Sequence, residues 1–232
     1  MPITIKDVAA AAGVGVGTVS RVLSGSTSVS KQTRQRVEEE IQRLHYVPNS
    51  LAGALSSRRS GIVAIIVPTL EQSIFADTVD GAESELNVRN LQVMVGQTKY
   101  DIGREAELVK AFLKLRPEGL ILTGSNHLPI VHDLLNAADI PVAECWGRAE
   151  TPIGISVGFD NQAAARDIVT HMIDRGRRRI AMLCAPRHFD NRLQQRIDGY
   201  EEAMNLHGLE IDVHDSIEGS STYSGFHQSG KV

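Results

Sequence analysis

The sequence predicts two parts of different class, a small all-α head followed by an α/β body on a parallel sheet, and three observations carry that prediction. Residues 4–45 hold three short segments of helical apolar periodicity, each bounded by capping or glycine signals. From Gly61 onward, continuous apolar runs of strand length alternate with amphipathic segments of helix length, the pattern of parallel strands covered on both faces. Charge divides at the same place. Residues 1–60 carry eight Lys or Arg against four acids, a net +4, while the other 16 basic and 24 acidic residues leave the body at −8.

In the head, Thr4-Ile-Lys-Asp7 is a capping-box variant, with Asp in place of Glu or Gln. Val8, Ala9 and Ala12 follow on one side, and Gly13 ends the helix. A second helix begins near Gly15 or Val16, is expected to bury Val19, Val22 and Leu23, and is closed by Gly25. Ser30 caps a third, in which Val37, Ile41 and Leu44 recur at i, i+4, i+7. Pro48 then breaks the pattern. Asn49 can cap a short helix whose Leu51, Ala52 and Leu55 share a face, although Gly53 weakens it by about 1 kcal/mol. Ser56, Ser57, Ser60 and Gly61 form the exit from this linker.

The body reads as strands at Ile62–Val67, Leu91–Val95, Gly119–Leu122, Ile140–Cys145 and Ile180–Cys184. Helical patterns lie near 75–88, 104–115, 128–138, 162–175 and 192–207. No run of 18 apolar residues suggests a membrane span, and no basic segment with an apolar core suggests a secretory signal. Cys145 and Cys184 fall inside apolar runs and read as buried, reduced thiols, so a cytoplasmic location is expected. An α/β enzyme would want a nucleophile elbow, a phosphate-cradling glycine loop or a metal-ligand cluster. None is present in the sequence, so no catalytic residue, cofactor or metal is expected. A sugar-binding protein of the periplasmic kind would carry a signal peptide and lack the basic head.

A basic head on an acidic body suggests a polyanionic partner for the head. Ala9, Ala10, Ala12 and Gly13 are small enough for two helices to cross closely, as a helix-turn-helix requires. Its second helix would enter the major groove, with Thr18, Ser20 and Arg21 as the polar contacts. Geometry alone leaves open a small three-helix bundle with no nucleic-acid role.

The residues T-I-K-D-V-A, A-G-V, T-V-S-R-V-L, V-S-K-Q-T-R-Q-R-V and L-H-Y-V-P-N-S-L-A occur in the order found in the headpiece of the LacI/GalR family of bacterial transcription regulators, which the first 60 residues closely resemble. The resemblance implies a helix-turn-helix headpiece at 1–45, a hinge at 46–60, and a periplasmic-binding-protein-like effector domain. The latter divides into an N-subdomain at 61–158 and a C-subdomain at 159–232 that reads as incomplete. It further implies a homodimer on double-stranded operator DNA, acting as a repressor under control of a small carbohydrate effector. DNA contacts would come from Thr4, Lys6, Val16, Gly17, Thr18, Ser20, Arg21, Ser30, Lys31, Arg34 and Tyr46, with Asn49, Ala52 and Leu55 on the hinge. Arg58 and Arg59 are further candidates for phosphate. Leu55 maps onto the leucine that wedges into the minor groove. Val16 and Gly17 occupy the specificity positions, and neither side chain can hydrogen-bond a base. Effector contacts would come from Thr69, Ser73, Phe75, Thr123, Glu144, Trp146, Asp160 and Arg196. The stretches VPTLEQSIFADTVDGAES and ISVGFDN look most like gluconate-utilisation repressors, so a sugar acid held by Arg196 with Thr69 and Ser73 is the expected effector. An incomplete C-subdomain would instead suggest a form that binds DNA without responding to effector, or one that is inactive.

Overall fold

The Asp7 carboxylate accepts both the backbone N–H and the hydroxyl of Thr4, each at 2.7 Å, and this starts the first helix. The computed structural model describes residues 3–47, 60–185 and 190–215, and its chain divides into two units at Ser60 and Gly61. The first unit holds α1 (Ile5–Ala12), α2 (Val16–Leu23) and α3 (Lys31–Arg43). Gly13 stops α1 in the left-handed region, at φ 62°, where a side chain would be strained. Ser30 caps α3 by accepting the Thr33 N–H at 3.2 Å. Val8, Ala9, Ala12, Val19, Val22 and Val37 form the core, with Ile41 and Leu44 packed at its margin.

Two expectations change here. Leu23 is 38% exposed, because it is the last residue of α2 and the chain leaves the helix at Ser24. Ala10 and Gly13 are exposed too, so the close α1–α2 crossing rests on Ala9 and Ala12. Arg34 reaches back from α3 to the carbonyls of Val22 and Ser26, fastening the turn that follows α2. Arg34→Met is expected to cost the head about 1 kcal/mol, seen as faster amide hydrogen exchange across residues 5–43.

The second unit begins with a five-stranded sheet, all parallel, in the order β2-β1-β3-β4-β5. The strands are β1 (Ile62–Val67), β2 (Gln92–Gln97), β3 (Gly119–Thr123), β4 (Val142–Cys145) and β5 (Ile155–Val157). Between them run α4 (Ser73–Asn87), α5 (Ile102–Leu113) and α6 (Pro129–Ala138). Alternation assigns β1 to both faces. Ala64 and Ile66 join Leu120, Leu122, Val109 and Leu135 under α5 and α6, whereas Ile65 and Val67 join Phe75 under α4. The strand expected at 140–145 starts only at Val142, since Pro141 cannot donate to a ladder. β5 escapes the pattern because it is a three-residue edge strand with Ile155 and Val157 exposed.

The chain continues through α7 (Asn161–Asp174), β6 (Met182–Cys184), α8 (Asn191–Leu206) and β7 (Val213–Asp215). β6 and β7 pair in parallel, and Val169, Ile173, Ile180, Tyr200, Ala203 and Met204 pack beneath them. The Tyr200 hydroxyl ties this part together, donating to the Ile180 carbonyl at 2.8 Å and accepting the Asp212 N–H at 2.9 Å. Cys184 is buried as expected, but Cys145 is only half-buried, at the open end of β4.

Candidate functional site

In a doubly wound sheet, ligands bind beyond the carboxyl ends of the strands, where successive strands turn to opposite sides. Here β1 leads to β2 on one side, and β2 returns to β3 on the other, so the switch lies between β1 and β3. Two hollows open at that end, of about 320 and 330 Å³. They share Tyr100, Asp190 and Arg192, and are two halves of one cleft. One half is mainly apolar, with Phe75, Trp146, Phe159 and Leu193; the other is polar, with Thr98, Asp101, Thr123, Gly124 and Asn126. Volumes of this order suit a small polar metabolite.

The dividing wall is built from charges. Arg192 is 6% exposed and donates from Nε to Asp190 Oδ1 at 3.0 Å, with a second bond from Nη2 to Oδ2. Its guanidinium also lies over the Phe75 ring, 5.4 Å from the centroid. Asp190 is in addition the cap of α8, accepting the Arg192 N–H. Burial raises the pKa of Tyr100, which hydrogen-bonds Gln72. One turn along α8, Arg196 donates to Asn161 Oδ1 at 2.8 Å and has no carboxylate partner among the described residues. Burial lowers its pKa, yet a guanidinium stays charged in proteins. Asn161 in turn donates to the Trp146 carbonyl at 3.2 Å. The Trp146 indole N–H donates to Thr78 Oγ1 at 3.0 Å, and its ring meets Phe75 edge to face.

The backbone is strained at this rim. Lys99, Tyr100 and Trp146 all have positive φ, at 54°, 65° and 70°. Such outliers in side-chain-bearing residues persist where the surroundings hold them, and they concentrate at functional sites. At Trp146 the left-handed step sends the side chain to the α4 face, although Val142, in phase with it on β4, packs under α5 and α6.

Of the eight residues expected to face an effector, Phe75, Trp146 and Arg196 line the apolar half and Thr123 the polar half. Asp160 lines a separate polar hollow and caps α7 through the Ala163 N–H. Thr69, Ser73 and Glu144 line neither half. Thr69 is buried, its hydroxyl accepting the Glu71 N–H; Ser73 opens α4 on the outside; Glu144 points into the sheet's other face. Sequence reading did not select Tyr100, Asp190 and Arg192. Asp190 and Arg192 carry a signal in retrospect, as Asp-Asn-Arg-x-x-x-Arg places two arginines one turn apart at a capped helix start.

On the head, Lys6, Gly17, Ser20, Arg21 and Lys31 are exposed, Thr18 is half-buried, and Val16 is 40% exposed despite its apolar side chain. Thr4, Ser30 and Arg34 are engaged in the local bonds described above, and Tyr46 packs against the head's core. Asn49, Ala52, Leu55, Arg58 and Arg59 lie outside the described residues.

Comparison with known proteins agrees with both units. Residues 4–49 match the bacterial regulatory proteins of the lacI family, and residues 60–228 match the periplasmic binding proteins and sugar binding domain of LacI family. Among curated relatives, the HTH-type transcriptional regulator GntR of Escherichia coli (strain K12) is 35% identical over 220 residues, covering 95% of this chain and 66% of its own length. The regulator IdnR of the same organism is 34% identical over 207 residues, covering 89% of this chain and 62% of its own. The chain thus spans just under two thirds of the length of these relatives. The crystal structure of a LacI family transcriptional regulator from Silicibacter pomeroyi superposes with a TM-score of 0.90 at 34% identity, over 99% of this chain and 69% of the other.

Proposed function

The chain belongs to the LacI family of bacterial regulatory proteins, and from that premise we propose that it is a sequence-specific DNA-binding repressor of sugar-acid utilisation, working in the cytoplasm as a homodimer. The head supplies the DNA reading. α2 presents Val16, Gly17, Ser20 and Arg21 to solvent on a unit with excess positive charge, which suits a helix laid in the major groove. Arg21 reads guanine or grips phosphate; Val16 meets a thymine methyl group; Lys6 and Lys31 contact phosphate. Arg34 acts through the turn it fastens, since its guanidinium is already occupied.

The effector reading rests on one observation above the others: Arg196 stands in the cleft hydrogen-bonded to a neutral amide, with no carboxylate in ion-pair contact among the described residues, although the charge of Asp190 reaches it. A ligand carboxylate would complete its pairing, while the Phe75, Trp146 and Tyr100 rings suit the apolar face of a sugar chain. That two relatives bear the names GntR and IdnR supports the same class of regulator.

Selection of bound duplexes from random DNA, then gel shift with and without gluconate, tests both halves. The expected result is a pseudo-palindromic site, with affinity falling about 10³-fold or more between 50 and 200 mM salt if six or more phosphates are held per dimer. No preference for any selected duplex over random competitor overturns the DNA reading. Binding heat from neutral hexoses and none from gluconate or its phosphate overturns the sugar-acid reading.

A further inference from the structure

At and behind the polar half of the cleft, where Glu105 forms part of the lining, lie three buried ionisable side chains for which the proposed chemistry has no use. His127, in the loop after β3, has no exposed side-chain surface, and its Nδ1 stands 2.7 Å from Glu105 Oε1 on α5. Its Nε2 has no hydrogen-bond partner among the described residues and stands 3.4 Å from Glu144 Oε1 on β4. The other Glu144 oxygen accepts the Ile153 N–H at 2.8 Å, so the same carboxylate also holds the loop between β4 and β5. The two glutamate side chains are 9% and 2% exposed, and among the described residues neither pairs with a Lys or Arg. His132 of α6 lies with its ring centroid 6.1 Å from that of His127. Arg148, Glu150 and Asp160 are the other charged groups around the hollow that His127 lines.

An imidazolium has an N–H for each carboxylate. A neutral imidazole whose single proton goes to Glu105 turns a lone pair on Nε2 towards the Glu144 carboxylate, and those two groups repel. Glu144 is two residues before Trp146, whose strained backbone and indole form one wall of the cleft. We propose that His127 is a positioning residue for the cleft: protonated, it draws Glu144 inward and fixes the end of β4 that carries Trp146; neutral, it releases that end. Burial disfavours the charged ring, but the hydrogen bond and charge of Glu105, with the charge of Glu144, outweigh it and leave the pKa of His127 above the ordinary histidine value. The consequence for effector affinity rests on the reading of the cleft given above; the coupling of His127 to Trp146 does not.

Trp146 is the chain's one tryptophan, so its emission reports this strand end alone. Titration of the whole protein between about pH 6 and 9 is expected to give a single one-proton change in emission, with its midpoint above that of a free histidine. His127→Gln is expected to flatten it, Glu105→Gln to move the midpoint down, and His132→Gln to leave it in place. No transition in the unmodified protein, or the same transition in His127→Gln, overturns the proposal. If circular dichroism shows that His127→Gln does not fold, Glu105→Gln decides, and an unchanged midpoint there overturns it. Calorimetry with gluconate across the same range separates the two readings. Affinity that follows the emission supports both, whereas emission that titrates without any gluconate binding rejects the effector reading and supports the coupling.

Discussion

Arg196→Gln is expected to weaken gluconate binding by about 30-fold or more while leaving the melting temperature nearly unchanged. Removing one member of a charged, hydrogen-bonded pair costs about 2–5 kcal/mol, and about 2 kcal/mol already corresponds to some 30-fold in affinity. The loss falls on binding and not on folding because of how Arg196 is held. Its partner is the amide of Asn161, so a neutral replacement strands no buried charge. Arg192 provides the contrast. It is paired twice with Asp190 and lies over Phe75, and Asp190 also caps α8. Arg192→Gln should therefore lower thermal stability as well as affinity. Equal gluconate affinity in the unmodified protein and Arg196→Gln would remove the carboxylate from the model of recognition. A neutral hexose, measured beside it, should be affected far less.

The order of helices and strands was legible in the sequence because local rules act alone there. Val37 and Ile41, with Leu44 at the C-cap, mark one face of α3, and Ile62–Val67 is an uninterrupted apolar run of the kind a strand covered on both sides tolerates. Local rules failed at edges and ends. Ile155 and Val157 belong to a strand yet face solvent, and Leu23 is a helix terminus whose burial depends on what the chain does next. The cleft was half legible. Phe75, Trp146 and Arg196 stand at strand and helix ends, where ligand sites form in this class of fold. Tyr100 and Arg192 were hidden, because Tyr100 enters the cleft through two consecutive left-handed residues and Arg192 through pairing with Asp190, neither of which periodicity encodes. Glu144 read as a ligand contact because a carboxylate at a strand end invites that reading. It faces the other way because alternation along β4 keeps it in phase with Val142, on the side of α5 and α6, where the Ile153 N–H and the His127 ring meet it.

Gly199→Ala is expected to lower the melting temperature by about 2–12 °C, whereas Gly81→Ala should leave it unchanged or raise it slightly. Both glycines lie inside helices, where alanine is intrinsically favoured by about 0.5–1 kcal/mol. Space decides between them. A Cβ on Gly81 would meet nothing within 4 Å, so the propensity gain stands. A Cβ on Gly199 would lie 2.1 Å from the Gln162 carbonyl oxygen and 3.0 Å from the Arg166 nitrogen. Those are backbone atoms of α7 and cannot rotate aside, so α7 and α8 must separate along a line that Gln162, Arg166 and Glu202 also bridge. Overpacking of this kind costs about 1–3 kcal/mol, and 1 kcal/mol moves the midpoint of a domain this size by about 2–4 °C. The displacement also reaches the cleft, since Asn161 is the first residue of α7 and Arg196 lies on α8, one turn before Gly199. Moving the helices apart pulls the Asn161 amide away from the guanidinium, so gluconate affinity should fall together with the melting temperature in Gly199→Ala, and with neither change in Gly81→Ala. A Gly199→Ala protein with normal stability and normal affinity would mean that the two helices do not cross at this glycine.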